Sequence, residues 1–182
     1  MQSQVAALKK FSDDIQELSS LENSLTELYE LGEINVGTFC ENVMDKVKEH
    51  IKIDVTPSVN APKLQVKTNK EQLERILLYL LKNAAFYTEQ GRISLEFKKR
   101  GAHTHQFIVT DTGIGIPKES IKKIWDRFYK SDLSRGKDKK GTGLGLAIVK
   151  EIIQAHGENI DVISTQGVGS EFIFTLPKAT AL

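Results

Sequence analysis

Two short glycine-rich loops, Asp111-Thr112-Gly113-Ile114-Gly115-Ile116-Pro117 and Gly141-Thr142-Gly143-Leu144-Gly145-Leu146, are the residues of this chain best suited to chemistry. Lacking a Cβ, glycine turns tightly and lets backbone N–H groups come close to phosphate oxygens. Asp111 can fix a carboxylate at the floor of such a loop, where it accepts a hydrogen bond from an exocyclic amine such as that of adenine. Upstream, Asn83 has Phe86 and Tyr87 at i+3 and i+4, which places all three on one face of a helix. An amide oxygen there suits Mg²⁺, which keeps waters and takes few protein ligands beside phosphates. Taken singly, Asp111 is more often a turn-starting residue and Asn83 a helix-end hydrogen bonder. The three in this order describe a nucleotide pocket. It is not a dinucleotide fingerprint, because Lys118 and Leu146 stand where the third glycine would fall, and neither loop ends in Gly-Lys-Ser/Thr.

Between the loops, residues 129–140 carry Lys130, Arg135, Lys137, Lys139 and Lys140 against Asp132 and Asp138, with almost no apolar side chain. Such a segment cannot offset the entropy of ordering by burial. It reads as a lid that closes over anionic phosphate, a plain solvated loop being the alternative.

The elements that must hold these loops follow from periodicity. Residues 5–31 contain neither Pro nor Gly, and Leu18, Leu21, Leu25 and Leu28 step 3-4-3 as the a and d positions of a coiled coil do, with Phe11 one heptad earlier. Val5, Leu8 and Ile15 fit another register, so the seam breaks near residue 15. This predicts an N-terminal helix that pairs with another copy. Thr38 is a candidate cap for a helix through Val43 and Val47, residues 51–55 alternate like a strand, and Pro57 and Pro62 mark a turn. Asn69 followed by Gln72 opens the Asn83 helix. Strands are expected at 92–99 and 106–111, a short helix from Pro117 to Phe128, a helix at 144–156 ended by Gly157, and strands at 160–164 and 171–176. Strands bunch while helices interrupt irregularly, which is an α+β pattern: a two-layer sandwich of a mixed sheet and helices.

Composition narrows the setting. The 182 residues carry a net charge of +1, but residues 1–35 carry −5 and the rest +6, an acidic arm on a mildly basic body that suits an anionic ligand. Scattered lysines are otherwise a solvated surface, and no nucleic-acid partner is expected. The single cysteine, Cys40, asks for no oxidising compartment, and the longest apolar run, residues 76–81, is far short of the roughly 20 needed to cross a bilayer. A cytoplasmic domain is expected, whether or not a longer parent chain is anchored to a membrane.

The Asn83 helix, Asp111-x-Gly113-x-Gly115, Ile124-Trp125-Asp126-Arg127-Phe128-Tyr129 and the run from Gly141 to Val149 together resemble the N, G1, F and G2 boxes of the catalytic and ATP-binding domain of bacterial sensor histidine kinases, members of the GHKL superfamily. The resemblance covers about residues 36–178. It implies a Bergerat-type ATP-binding fold over 36–182, a partial dimerisation segment over 1–35, and transfer of the ATP γ-phosphoryl group to a histidine. By motif position, Asn83 would ligate Mg²⁺, Asp111 would read the adenine amine and Tyr87 would stack near the base. Gly113, Gly115 and Ile116 would bound the nucleotide, while Arg127, Lys130 and Arg135 would approach its phosphates. Gly141, Thr142, Gly143, Leu144, Gly145 and Leu146 would hinge the lid and start a helix whose N-terminus favours phosphate. The implied partners are ATP or ADP, a phosphoacceptor helix, a response regulator and a second copy of the chain.

Three departures qualify that resemblance. None of His50, His103, His105 and His156 has the setting of the family's phosphoacceptor, each having a surface or capping explanation, so the chain is not expected to phosphorylate itself. Tyr79 stands four residues before Asn83, where the family often has Asn and the hydrolysing superfamily members a Glu base; a phenol of reference pKa near 10 cannot replace that base. Phe86 stands where many members have a cation. The alternative is a non-catalytic nucleotide-sensing or partner-binding module of the same fold. If the N-terminal helix pairs, removal of residues 1–31 yields a monomer that still binds nucleotide, and an unchanged oligomer on sedimentation would refute the pairing.

Overall fold

The computed structural model describes residues 32–62, 65–102, 104–131 and 141–177, with positions 5, 8, 9, 12, 13, 15, 16 and 19 of the N-terminal arm. Val5, Leu8 and Ile15 are helical and exposed, whereas Phe11, Leu18, Leu21, Leu25 and Leu28, the residues of the heptad seam, lie outside the described residues.

The body is a mixed sheet under three helices. Strand β1 (Gly32–Asn35) leads into helix α1 (Val36–Lys48), followed by β2 (Val55–Asn60), β3 (Gln65–Thr68) and helix α2 (Lys70–Tyr87). The hairpin of β4 (Gly91–Arg100) and β5 (Thr104–Asp111) comes next, then helix α3 (Gly145–Ala155) and the pair β6 (Ile160–Thr165) and β7 (Gly169–Pro177). Five strands form one sheet in the order β2-β4-β5-β7-β6, with β2 parallel to β4 and every other pairing antiparallel. A separate antiparallel pair joins β1 to β3. The α+β sandwich expected from the pattern is the architecture found.

One face of the sheet is apolar and the helices cover it. Alternation along the strands sends Ile93, Leu95, Phe97, Phe107, Val109, Phe172, Phe174 and Leu176 to the same side, all buried. Phe107 faces Phe97 on one neighbouring strand and Phe174 on the other in direct register, with ring centroids 4.8 and 4.9 Å apart. These cross-strand aromatic pairs pin the pairing of β4, β5 and β7, because a one-residue slip would send every ring to solvent. Helix α2 buries Leu73, Ile76, Leu77, Leu80, Leu81 and Ala84, and α3 buries Ile148, Val149, Ile152 and Ile153, at i+3 and i+4 steps. Cys40 is wholly buried in this core, and burial, with Glu41 nearby, pushes its thiol up to about 12, which makes it an inert core residue.

Local chemistry sets the ends of the elements. Asn69 caps α2 by accepting from the Gln72 N–H at 2.9 Å. Helix α1 is capped by Asn35, whose side chain accepts from the Thr38 N–H at 3.3 Å, so Thr38 donates to the cap where it was expected to be one. Residues 51–54 turn instead of forming a strand, leaving Ile53 fully exposed, and Pro57 lies inside β2. Proline is tolerated there because β2 is an edge strand. Residues 118–125 form successive turns where a helix was expected; most of their backbone bonds run i to i+3, as from Ser120 to Pro117 and Lys123 to Ser120. His105 is buried beside Phe97, contrary to a surface position, and His156 donates its Nδ1–H to the Ile152 carbonyl at 2.9 Å at the end of α3, with its Nε2 3.3 Å from the Thr68 hydroxyl. His103 is outside the described residues. Phe107→Ala is expected to cost about 3–5 kcal/mol of unfolding free energy, measured by urea denaturation, because it removes the middle ring of the ladder.

Candidate functional site

The open end of the sandwich, where β5 and α2 finish, is built around Asp111. The Asp111 carboxylate is buried, accepting from the Gly113 N–H at 2.8 Å and from the Ser170 backbone N–H. Burial raises its pKa above the ordinary aspartate range, and the two backbone donors partly offset this. A carboxylate held by backbone donors in a dry setting has few partners to spare, so its remaining acceptor capacity is directional.

The glycine loop is tied to the helix by close approach. The Ile114 N–H donates to the Tyr87 carbonyl at 3.2 Å. A Cβ on Gly113 would lie 2.4 Å from that carbonyl and 2.9 Å from both Asp111 Oδ1 and Thr88 Oγ1, so only glycine fits. Gly115 has φ +66°, and a Cβ there would meet the Thr165 carbonyl at 2.1 Å. These two glycines thus let the loop fold between the end of α2 and the end of β6.

One cavity opens at this junction, and most of the residues singled out in the sequence line it. Asn83 and Tyr87 face it from α2, Asp111, Gly115 and Ile116 from the first glycine loop, and Gly141, Thr142, Gly143, Gly145 and Leu146 from the second. Lys130 brings a cation to its wall. Gly113 stands behind the wall as a spacer, and Leu144 is wholly buried in the core. Arg127 does not line the cavity: its Nη2 donates to Glu151 Oε1 of α3 at 2.8 Å. Arg135 and the rest of residues 132–140 lie outside the described residues.

Phe86 was placed on the Asn83 face by helical spacing, yet it is 43% exposed and absent from the cavity wall. Its ring meets Tyr87 edge-on at 5.0 Å. The face that α2 presents to the cavity is the i+4 row Tyr79, Asn83 and Tyr87, with Ala84 beside it. Ser170 and Phe172 were missed altogether. They reach the cavity because β7 pairs with β5 so that Ser170 faces Asp111 and Phe172 faces Val109, a non-local register that no local pattern announces. Tyr129, whose hydroxyl donates to Ser120 at 2.9 Å, and Trp125, edge-on to Phe172 at 6.0 Å, buttress the same wall.

The donor set bears on a metal. Among the described residues no group of three His, Cys, Asp or Glu side chains converges on one point. An amide oxygen such as that of Asn83 on the cavity wall is of the type that takes part in holding a cation carried mainly by phosphate oxygens and water, the habit of Mg²⁺.

The order of these motifs matches a known family. The family of histidine kinase-, DNA gyrase B- and HSP90-like ATPases matches residues 68–180, and the chain belongs to it. Its similarity within that family is to sensor histidine kinases. It is 36% identical over 145 residues to the sensor histidine kinase YclK of Bacillus subtilis (strain 168), covering 74% of this chain and 30% of that protein. It is 40% identical over 116 residues to WalK of the same organism, covering 63% and 19%. The chain thus spans less than a third of these relatives. Full-length ShkA, solved in complex with AMPPNP, superposes with a TM-score of 0.82 at 28% identity, over 96% of this chain and 36% of ShkA. The mycobacterial sensor histidine kinase MprB gives 0.71 at 25% identity, over 83% and 99%. The fold is that of an ATP-binding domain of the sensor histidine kinase type.

Because the Gly113 position is closed by three oxygens, Gly113→Ala is expected to destabilise the fold by about 1–3 kcal/mol in urea denaturation. An unchanged midpoint would show that the junction yields without cost.

Proposed function

We propose that this chain is the kinase module of a two-component sensor: it binds Mg²⁺ and ATP in the cavity and passes the γ-phosphoryl group to a histidine on a dimerisation helix outside the chain. The buried carboxylate of Asp111 carries the reading, because a fixed acceptor at the dry end of a glycine-lined cavity selects an amine-bearing base. Tyr87 packs on that base, Asn83 ligates Mg²⁺, and Lys130 meets the phosphates together with the N-terminus of α3 at Gly145. Arg135 is the further phosphate contact implied by motif position. Phosphoryl transfer needs mainly alignment and charge neutralisation, which these groups provide.

Other parts of the proposal rest on sequence alone. Residues 1–35 are the end of a dimerisation segment that pairs with a second copy, residues 36–182 are the catalytic domain, and a response regulator receives the phosphoryl group from the histidine. Without a family-type phosphoacceptor the chain does not phosphorylate itself. Among the described residues, no helix is long and apolar enough to cross a membrane, which accords with a domain working in the cytoplasm.

Calorimetric titration with Mg²⁺ and a non-hydrolysable ATP analogue tests the reading. Saturable binding is expected for the unmodified chain and none for Asp111→Asn, whose circular dichroism stays native; equal affinity in the two would remove Asp111 from the site. The affinity also has a pH signature. Burial raises the Asp111 pKa, so protonation removes the acceptor at a higher pH than for an ordinary aspartate, and affinity weakens as pH falls through that raised value.

A further inference from the structure

The i+4 row of α2 runs along the cavity, and its two ends face different surroundings. Tyr87 lies by the Asp111 loop, since its carbonyl holds the Ile114 N–H. Tyr79 is eight residues earlier, about 12 Å along the helix, and its ring lies against the first residue of α3. A Cβ on Gly145 would be 2.9 Å from Tyr79 Cδ1 and 3.3 Å from Cε1. Tyr79 therefore belongs to the phosphate end of the cavity.

The same ring has a second side. Tyr79 and Asn83 also line an open groove on the outer face of α2, beside Glu71, Glu74 and Lys82. Among the described residues, only these two are common to cavity and groove. Asn83 is committed to the metal in the function proposed above, so the body of the partition is the Tyr79 ring, packed against the core and against Gly145. Beyond it stand solvent and the charged side chains Glu71, Glu74, Arg75 and Lys82, with Glu74 ion-paired to Lys46, so the groove is the side from which water would reach the γ-phosphate.

We propose that Tyr79 is a specificity-determining residue: its ring seals the phosphate end of the cavity against the groove, so that bound ATP is kept from water and its γ-phosphoryl group is reserved for the protein acceptor. The reaction it suppresses is hydrolysis. There, a water oxygen forms a bond to the γ-phosphorus as the bond from that phosphorus to the β,γ-bridging oxygen breaks; ADP leaves with the electron pair, and the protons of the water pass to inorganic phosphate and to solvent. An aromatic ring contributes nothing to that reaction except the exclusion of its nucleophile. The inference rests on the nucleotide reading of the cavity, and its test separates the two.

Inorganic phosphate release is measured with the full chain at saturating Mg²⁺ and ATP, and nucleotide affinity is measured separately by calorimetry. Tyr79→Ala is expected to raise phosphate release by about five-fold or more while changing affinity far less. Tyr79→Asn keeps a polar helix residue of smaller size, should behave like the alanine variant, and carries the test if Tyr79→Ala does not fold. Tyr79→Phe, which keeps the ring, should release phosphate several-fold more slowly than Tyr79→Ala. A gain in rate is not what loose packing alone produces, since damage to the site lowers affinity and turnover together. If nucleotide binds and phosphate release is unchanged or slower in Tyr79→Ala and Tyr79→Asn, the sealing role is overturned while the site stands. Equal rates for Tyr79→Phe and Tyr79→Ala overturn the role of the ring. Failure of the unmodified chain to bind nucleotide removes the site and this inference with it.

Discussion

The close approach of backbones around Asp111 is the constraint on which the rest of this structure depends. Four elements meet within a few residues: the start of β4, the end of β5, the start of β7 and the end of α2. A Cβ on Gly91 would fall 2.0 Å from Thr112 Oγ1, one on Gly113 would fall 2.4 Å from the Tyr87 carbonyl, and one on Gly169 would fall 2.0 Å from the Asp111 carbonyl. Each contact brings two chain segments nearer than any side chain permits. The result is a carboxylate buried at a helix end with its donors already in place, and the cavity wall follows from that junction.

The aromatic ladder is what makes such a junction affordable. Phe97, Phe107 and Phe174 fix the registers of β4, β5 and β7 at the far end of the strands, and those registers carry Ser170 opposite Asp111 four residues away from the Phe107 pair. Packing and site are thus one arrangement read at two heights of the sheet. The arrangement also explains why the buried charge is tolerated: its desolvation is offset in part by the Gly113 and Ser170 N–H groups, which the registers place.

What could be read from the chain was what is local. The Asn69 cap, the i+4 spacing of Asn83 and Tyr87, and the two glycine loops are short-range patterns, and Asn83, Tyr87 and most residues of the two loops line the cavity. Pairing was not legible. Ser170 and Phe172 reach the site through a strand partner some sixty residues away in sequence, and Pro57 read as a turn because nothing nearby reveals that β2 is an edge. Residues 118–125 misled for another reason. Helical spacing is present, but Ile124 and Trp125 must turn towards the sheet, and tight turns do this where a straight helix would not.

Arg127 shows where motif transfer and geometry part. Its type and position suggest a phosphate contact, but its guanidinium pairs with Glu151 outside the cavity wall. Both side chains are partly exposed, so the pair adds little stability on its own. Its use is directional: it ties the turn carrying Phe128 and Tyr129 to α3, while the Phe128 N–H donates to the Gly143 carbonyl at 2.9 Å on the same edge. Two bonds, one ionic and one through the backbone, thereby hold the wall from which Lys130 reaches the cavity. The cation on the cavity wall and the cation that holds that wall are then different residues three apart, and a single turn separates their tasks.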